Sequence, residues 1–305
     1  MNITLNSDLS FDLVKWGRNK WYNYLGKINP KKLADILYKE EFKTLINWNN
    51  PKDLNEKINW LAFNTDTSNW TRLADKYLAR EYVKSKGLEH ILTKLYGIWN
   101  NPDDIDFNIL PYKFVLKCNH DAGSVILVRD KSIINTSKIK SELKKIIANE
   151  FGIQTAEPHY IGIKKLIFAE ELLEDDNLLS KSIIDYKFWS FHGKTDYCQV
   201  CYDRELLSKK RSAIYDVNNW RILKTKMIHN DLCYNKNIPE PFNLKEMIQI
   251  VYCLSNEFPE CRVDLYECNN KVFFGELTFT AACGRIKNFS KEFLQELGAM
   301  VILPQ

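Results

Sequence analysis

The sequence predicts an α+β protein in which amphipathic helices alternate with antiparallel hairpins. Three observations carry that expectation. Stretches such as KSELKKIIANEF and NLKEMIQIVYCLSNEF place apolar residues at helical spacing. Short apolar runs such as PYKFVLK and VILVRD flank a polar loop, CNHDAGS, and turn back on each other. The 305 residues, 45% hydrophobic and 13% aromatic, supply enough apolar surface for a substantial core, and no repeat or low-complexity linker interrupts them.

Residues 1–72 read as a helical accessory region rich in tryptophan, with Trp16, Trp21, Trp48, Trp60 and Trp70. LADILYKEEF has helical spacing, and PKDLNEKINWLAF forms a second helix after Pro51. Neither βαβ alternation nor a glycine fingerprint appears in this stretch. The main unit is expected over 73–305, with subdomains at about 112–170 and 171–290. It opens on LADKYLAREYVKSKG, read as one helix with Leu73, Tyr77, Leu78 and Tyr82 along one side and Gly87 as its cap. HILTKLYGIW is extended, and NPDDIDFNILP is a turn-rich connection to the first strand pair. KKLIFAEELLED is a strand that breaks into acidic residues. DYKFWSFHGKTDYCQVCYDR is a hairpin turning at His192-Gly193, and the helix of NLKEMIQIVYCLSNEF leads into a last hairpin, RVDLYECNNKVFFGELTFT.

The net charge of +4 is small for this length. It suits anionic small molecules, whereas a chain that binds nucleic acid would show a concentrated basic stripe. No positive run followed by an apolar run opens the sequence, and no stretch approaches a membrane span. A cytoplasmic protein with no integral membrane association is expected. Among eight cysteines, only Cys198 and Cys201 form a C-x-x-C, within an apparent strand where positions three apart point to opposite faces. Buried thiols are expected there rather than zinc or a disulfide. The five histidines show no metal spacing, and His120 and His159 read as hydrogen-bonding residues before acid–base groups.

The last hairpin places charges inside otherwise apolar strands, which costs free energy unless something compensates them. With Asn269, Asn270 and Lys271 as a three-residue loop, Cys268 falls opposite Val272, Asp264 opposite Glu276 and Arg262 opposite Thr278. Val263, Leu265 and Leu277 then share the other face. Two carboxylates about 4 Å apart repel by roughly 4 kcal/mol at an effective dielectric of about 20. A cation is required. Arg262 supplies it if the hairpin is an ion-paired sheet; magnesium, which takes one or two carboxylates plus waters and phosphates, supplies it in a nucleotide site. The hairpin alone leaves both readings open.

Two further segments bear on the choice. In FVLKCNHDAGS, Lys117 ends a buried strand and is followed by Asn119, His120, Gly123 and Ser124. Such a loop can turn N–H groups and small polar side chains towards phosphate oxygens, and it also reads as an ordinary polar hairpin loop. IFAEELLED ends a strand in Glu170, Glu171 and Leu172, which either meet an adenine edge or enter a solvated acidic turn.

Taken in this order, the segments resemble the ATP-grasp superfamily of carboxylate–amine ligases from Leu73 to about Arg285. The resemblance implies an ATP-grasp fold, in which two α+β subdomains with antiparallel sheets clasp ATP. It implies that Lys76, in DKYLAREYVKSKG, reaches the phosphates and that Lys117 reaches phosphate or adenine, with Asn119, His120, Gly123 and Ser124 in the phosphate loop. AEELL becomes the adenine hinge, through the Glu170 side chain and the backbone of Glu171 and Leu172. DYK places Asp185 near the ribose and Lys187 near phosphate. RVDLY…GELT holds Mg2+ through Asp264, Glu276 and Thr278, with Arg262 beside the transferring phosphoryl group. Thr278 stands where many such ligases carry asparagine, and TAACGR stands where relatives often have a loop rich in proline and glycine. NPDDIDFNILPYKFVLKCNH, DYKFWSFHGK and FPECRVDLYECNNKVFFGELTFT look like the TupA-like branch, which takes its name from teichuronopeptide biosynthesis and belongs to cell-surface polysaccharide pathways.

The implied chemistry is ATP-dependent phosphorylation of a carboxylate, a uronic acid of a capsule or other surface glycan, followed by attack of an amine or amino acid. Lys187, Arg262 and Arg211 are the expected catalytic cations. Arg204, Lys210 and Arg285 are expected to hold the anionic substrate, although SKKRS reads equally as a solvated basic turn. A carbohydrate kinase using the same ATP and magnesium, a glycosyltransferase and a non-catalytic binding module are the alternatives. The sequence has no convincing D-x-D for the glycosyltransferase, and Lys76, Lys117, Asp264 and Glu276 are all retained, against a dead module.

Overall fold

The computed structural model describes residues 7–175, 179–203, 211–228 and 236–304. Two antiparallel sheets organise the chain. The smaller contains β1 (Leu95–Trp99), β2 (Phe114–Cys118), β3 (Val125–Val128) and β4 (Ile167–Glu170), in the order β1-β4-β2-β3. The larger contains β5 (Asp185–Phe191), β6 (Lys194–Tyr202), β7 (Arg211–Asp216), β8 (Arg221–Ile222), β9 (Cys261–Cys268) and β10 (Lys271–Thr278), in the order β10-β9-β5-β6-β7-β8. Around them pack α1 (Ser7–Ile28), α2 (Pro30–Phe42), α3 (Leu54–Asn64), α4 (Ser68–Ala74), α5 (Leu78–Ser85), α6 (Thr136–Ala148), α7 (Leu244–Ser255) and α8 (Lys291–Met300). This is the α+β arrangement that the pattern of helices and hairpins predicts.

Each sheet buries one apolar layer under a helix. α6 starts where the Asn135 side chain accepts from the Lys138 N–H at 2.9 Å, and it lays Ile139 and Leu143 over Phe114, Leu116, Ile167 and Ala169. α7 packs Met247, Ile250, Val251 and Leu254 with Tyr186, Phe188, Val200, Val263 and Leu265 of the large sheet. A Ser190–Ser255 hydroxyl contact of 2.7 Å fixes α7 on that face. Every such side chain removed from water contributes roughly 1.5–3 kcal/mol. Side chains alternate across a strand, so the opposite face of β5, β9 and β10 is left to carry charge. Leu54, Ile58 and Leu61 of α3 belong to the same large core. Cys198 and Cys201 are both buried on β6, and seven described cysteines are free thiols.

Three expectations need correction. The stretch from Leu73 to Gly87 is not one helix. It breaks after α4, because Asp75 turns out of helical geometry and its Oδ1 accepts from the N–H groups of Tyr77 and Leu78, at 2.8 and 3.1 Å, capping α5. The last hairpin turns on two residues, Asn269 and Asn270, both with positive φ, so Cys268 faces Lys271 rather than Val272. A bulge at Gly275 then restores the offset, and Asp264 does face Glu276, as Arg262 faces Thr278. Finally, α8 and the strand β7 are formed where the pattern gave no element.

Candidate active site

The charged residues of the large sheet form two cross-strand rows. Lys187, Asp264 and Glu276 lie side by side on β5, β9 and β10; Trp189, Arg262 and Thr278 form the adjoining row. Residues opposite one another in a ladder have Cβ atoms about 4.5–5.5 Å apart, so the sheet itself brings these groups together. Arg262 grips Asp264 bidentately, Nε to Oδ1 at 2.7 Å and Nη2 to Oδ2 at 2.8 Å. The same Nη2 lies 3.3 Å from Glu276 Oε1 and 3.1 Å from Thr278 Oγ1. Lys187 Nζ donates to Asp264 Oδ2 and lies 2.8 Å from Asp185 Oδ2. The Arg262 guanidinium stands over the Trp189 ring at 5.8 Å.

Electrostatics follow from this packing. Burial by itself would raise the Asp264 carboxyl, yet Arg262 and Lys187 outweigh it and hold it at about 2. Burial works against the charge of Lys187, and Asp264 overcomes that to push it up to about 12. Both groups are therefore ionised at neutral pH. Glu276 differs: its carboxylate is 38% exposed and its one arginine contact is the longer.

The small sheet carries a second cluster, around the buried Glu170. Its carboxylate pairs with Lys117 of β2, lies 3.2 Å from Arg80 Nη1 of α5, and accepts from Thr93 Oγ1 at 2.6 Å. These contacts hold the Glu170 carboxyl low against the effect of its burial. Beyond β2 the 119–124 loop opens. Lys76 Nζ donates to the Asp121 carbonyl and its N–H to the Asn119 carbonyl, at 3.1 Å for the latter, so α5 and the loop are tied by this lysine. Ser124 donates to Asp121, and at Gly123 (φ +99°) no heavy atom lies within 4 Å of where a Cβ would stand. The loop thus has room for a ligand at its glycine.

The structure places the other expected residues as follows. Asn119 is occupied with the fold: its amide donates to the Lys164 carbonyl at 2.9 Å and its Oδ1 accepts from the Leu166 N–H at 2.6 Å. The Glu171 N–H donates to the Lys94 carbonyl at 2.9 Å, and Leu172 continues the chain past β4. Arg211 lies on the opposite side of the large sheet from Lys187, in register with Tyr202, and its Nη1 is 3.5 Å from Asp203. Arg285 follows β10 and donates to the carbonyls of Thr155 and Cys283 at 3.3 and 3.1 Å. Arg204 and Lys210 lie outside the described residues. His120 and His159 are both buried; the His120 ring meets the Ile146 backbone, and no described protein group hydrogen-bonds the His159 ring. Burial lowers His120 and holds His159 at about 3, so both are neutral.

Sequence reasoning missed four groups. Arg80 and Thr93 complete the Glu170 cluster from elements distant in the chain. Glu157 is buried beside the end of β10, where it accepts from Thr280 Oγ1 at 2.5 Å. Burial raises the nearby Tyr160 hydroxyl well above its ordinary range, and the charges of Glu157 and Glu276 add to the effect. No spacing in the sequence marks any of these.

Asp264, Glu276 and Thr278 offer oxygen donors, the type magnesium takes, with both Asp264 oxygens engaged by Arg262 and Lys187. Among the described residues no group of three or more His, Cys, Asp or Glu side chains is placed to enclose an ion. An adjacent pair of carboxylates, one of them half-exposed, with a hydroxyl alongside is an all-oxygen set that suits an ion which keeps waters and substrate phosphates.

Fold and site together define a protein with two antiparallel sheets, one bearing a lysine beside a loop with glycine at positive φ, the other a face of paired carboxylates and cations. The chain belongs to the TupA-like ATPgrasp family, which it matches over residues 56–302. No curated protein matches it. Among solved structures it is similar to D-alanine–D-alanine ligase from Bacillus anthracis complexed with ATP, at 14% identity, covering 68% of this chain and 55% of that one with a TM-score of 0.40. It is also similar to L-amino acid ligase from Bacillus licheniformis, at 13% identity, covering 83% of this chain and 56% of that one with a TM-score of 0.45. The chain thus spans little more than half the length of either. No residue role follows from likeness this distant.

Proposed function

We propose that the protein is an ATP-dependent carboxylate–amine ligase that works through an acyl phosphate in the cytoplasm. Its carboxylate substrate is a uronic acid of a capsule or other surface glycan, and its nucleophile is an amine or amino acid. Membership of the TupA-like ATPgrasp family supports the ATP chemistry. The observation that carries the reading is the Lys187–Asp264–Glu276 row with Arg262 bridging it, since it joins fixed cations and a spare carboxylate on three neighbouring strands.

A carboxylate does not condense directly with an amine, because oxide is not a leaving group; a phosphorylated carboxylate has one. The chain's task is to hold the γ-phosphate in line with the carboxylate oxygen and to neutralise the transferring group. In this reading Lys187 and Arg262 face that group, while Lys76 and Lys117 hold the phosphates. Asp185 lies towards the ribose, and Glu170 with the backbone at Glu171 and Leu172 meets the adenine edge. Asp264, Glu276 and Thr278 would hold Mg2+, which would supply Lewis-acid stabilisation of charge on the phosphates. The 119–124 loop covers the phosphates and excludes water from the acyl phosphate. Arg285, at the end of β10, lies on the substrate side.

Hydroxylamine trapping tests the proposal. With ATP, magnesium and a panel of uronic acids, the ligase yields a hydroxamate together with ADP. Accumulation of a stable phosphate ester with ADP would establish a carbohydrate kinase instead, and no ADP with any acid would remove ATP-driven activation altogether.

A further inference from the structure

β10 runs into a strained turn. Ala282 and Cys283, neither of them glycine, hold left-handed backbone (φ 49° and 57°), and Gly284 follows at 64°. Such geometry persists only where its surroundings over-determine it, and it gathers at ligand sites. α3 fixes one flank of the turn. The Asn55 amide donates to the Ile286 carbonyl at 2.9 Å and its Oδ1 accepts from the Ile286 N–H at 2.7 Å, while the Asn59 amide donates to the Gly284 carbonyl at 2.9 Å. Residues 155–160 fix the other flank. Glu157 accepts from Thr280 Oγ1, and Arg285 Nη1 donates to the Thr155 carbonyl at 3.3 Å and the Cys283 carbonyl at 3.1 Å.

Two opposite charges stand beside this turn without pairing. Glu157 is only 4% exposed, and the Thr155 hydroxyl and the Cys283 thiol stand by its carboxylate, yet its Oε2 has no partner at hydrogen-bond distance among the described residues. The Arg285 charge acts on that carboxylate, but no described carboxylate oxygen lies within 4 Å of the guanidinium. A buried carboxylate and a guanidinium held near it but apart suit a molecule that bears both charges, with its ammonium against Glu157 and its carboxylate against Arg285. Cys283, Arg285 and Tyr160 are each partly exposed, so the group borders solvent. It also borders the charged sheet face. Thr280 stands two residues past Thr278 with the same parity, while Phe279 joins Leu277 in the core. The Tyr160 hydroxyl feels the charges of both Glu157 and Glu276. Burial raises the Glu157 carboxyl above its ordinary value, towards the range in which a base works at neutral pH.

We propose that Glu157 and Arg285 seat an α-amino acid as the nucleophile of the ligase, which narrows the ligase reading and rests on it. Arg285 holds the carboxylate of the amino acid and Glu157 its ammonium, from which Glu157 takes one proton. The freed nitrogen pair forms the C–N bond to the acyl carbon as the C–O bond to phosphate breaks, and a second nitrogen proton leaves with the phosphate. The test supplies ATP, magnesium and a panel of uronic acids, with either hydroxylamine or α-amino acids, each amino acid beside its decarboxylated amine. Hydroxylamine is uncharged at neutral pH and has no carboxylate, so the ratio of amide to hydroxamate isolates this seat. The parent couples an α-amino acid at least about 100-fold faster than the matching amine. Glu157→Gln lowers the ratio of amide to hydroxamate by about 100-fold. Arg285→Gln raises KM for the amino acid more than about tenfold with a smaller change in kcat, and narrows its advantage over the matching amine. Arg285 is partly exposed, so its variant reads the seat even where the buried Glu157→Gln lowers stability. Three results overturn this inference alone: hydroxamate from the parent with no amide from any amino acid, amide formed as readily from the decarboxylated amines, or variants whose ratios equal the parent's. No hydroxamate with any acid overturns the ligase reading, and the inference falls with it.

Discussion

Two carboxylates in this molecule are each clasped between a lysine and an arginine, and the clusters around them carry excess charge of opposite sign. Glu170 on the small sheet stands between Lys117 and Arg80, so its cluster holds two cations to one carboxylate. Asp264 on the large sheet stands between Lys187 and Arg262, but Asp185 and Glu276 join it, giving three carboxylates to two cations. The Glu170 side chain is 7% exposed and that of Glu276 is 38% exposed. The first cluster is closed and carries an excess of positive charge. The second carries an excess of negative charge, with one carboxylate at the solvent edge. A buried ion pair alone says little about function; the sign of the excess charge distinguishes the two.

The comparison can be broken most sharply at Glu276. Glu276→Gln is expected to lower ATP-dependent hydroxamate formation by at least about 100-fold, with a thermal midpoint close to the parent's because the half-exposed pair with Arg262 contributes little. Asp264→Asn should abolish turnover and also cost about 3–5 kcal/mol in denaturant titration, since it removes the carboxylate shared by two buried cations and leaves Lys187 to Asp185 and Arg262 to Glu276. Equal stability losses in the two variants would erase the distinction between a spare and a structural carboxylate. On the other sheet, Arg80→Met should cost about 2–3 kcal/mol by leaving Glu170 to Lys117 alone. Adding Glu170→Gln should recover part of that loss, and a double-mutant cycle reads the coupling.

Acidity probes the Asp264 cluster through its titration. The carboxyl is held at about 2 in the folded chain against an ordinary value of 3.8. A folded pKa below the unfolded one contributes stability that is complete above pH of about 4 and is lost as pH falls towards 2, about 2 kcal/mol in all. The difference in unfolding free energy between parent and Asp264→Asn should therefore shrink across that window and stay constant between about pH 5 and 7. The smallest expected effect is at the hairpin. A Cβ at Gly275 would stand 2.8 Å from the Asp264 carbonyl oxygen, so Gly275→Ala should cost about 1–2 kcal/mol and lower turnover by disturbing the Asp264–Glu276 alignment.

Much of the charged sheet face was legible in the sequence because a strand fixes direction by parity. Alternation put Arg262, Asp264, Glu276 and Thr278 on one side and Val263, Leu265 and Leu277 on the other, and the ladder agrees. The turn was misread because a two-residue loop plus one bulged residue gives the same offset as a three-residue loop with none. Arg80, Thr93, Glu157 and Tyr160 were not legible, since each reaches its cluster through contacts between segments far apart in the chain. Helical spacing across Leu73 to Tyr82 concealed a break, because one capping carboxylate, Asp75, overrides periodicity locally.

Gly275 has one more effect on how the last strand is used. Val272 and Phe274 on its turn side and Leu277 and Phe279 on its other side are all buried in the same core, although the two pairs differ in parity. The glycine acts as a vernier, advancing the strand by one notch so that the tip and the base each deliver packing to one layer, while the base alone presents acid to the other. Length changes at the tip and composition changes at the base can then be accommodated separately, with a single hydrogen atom in place of a side chain marking the seam.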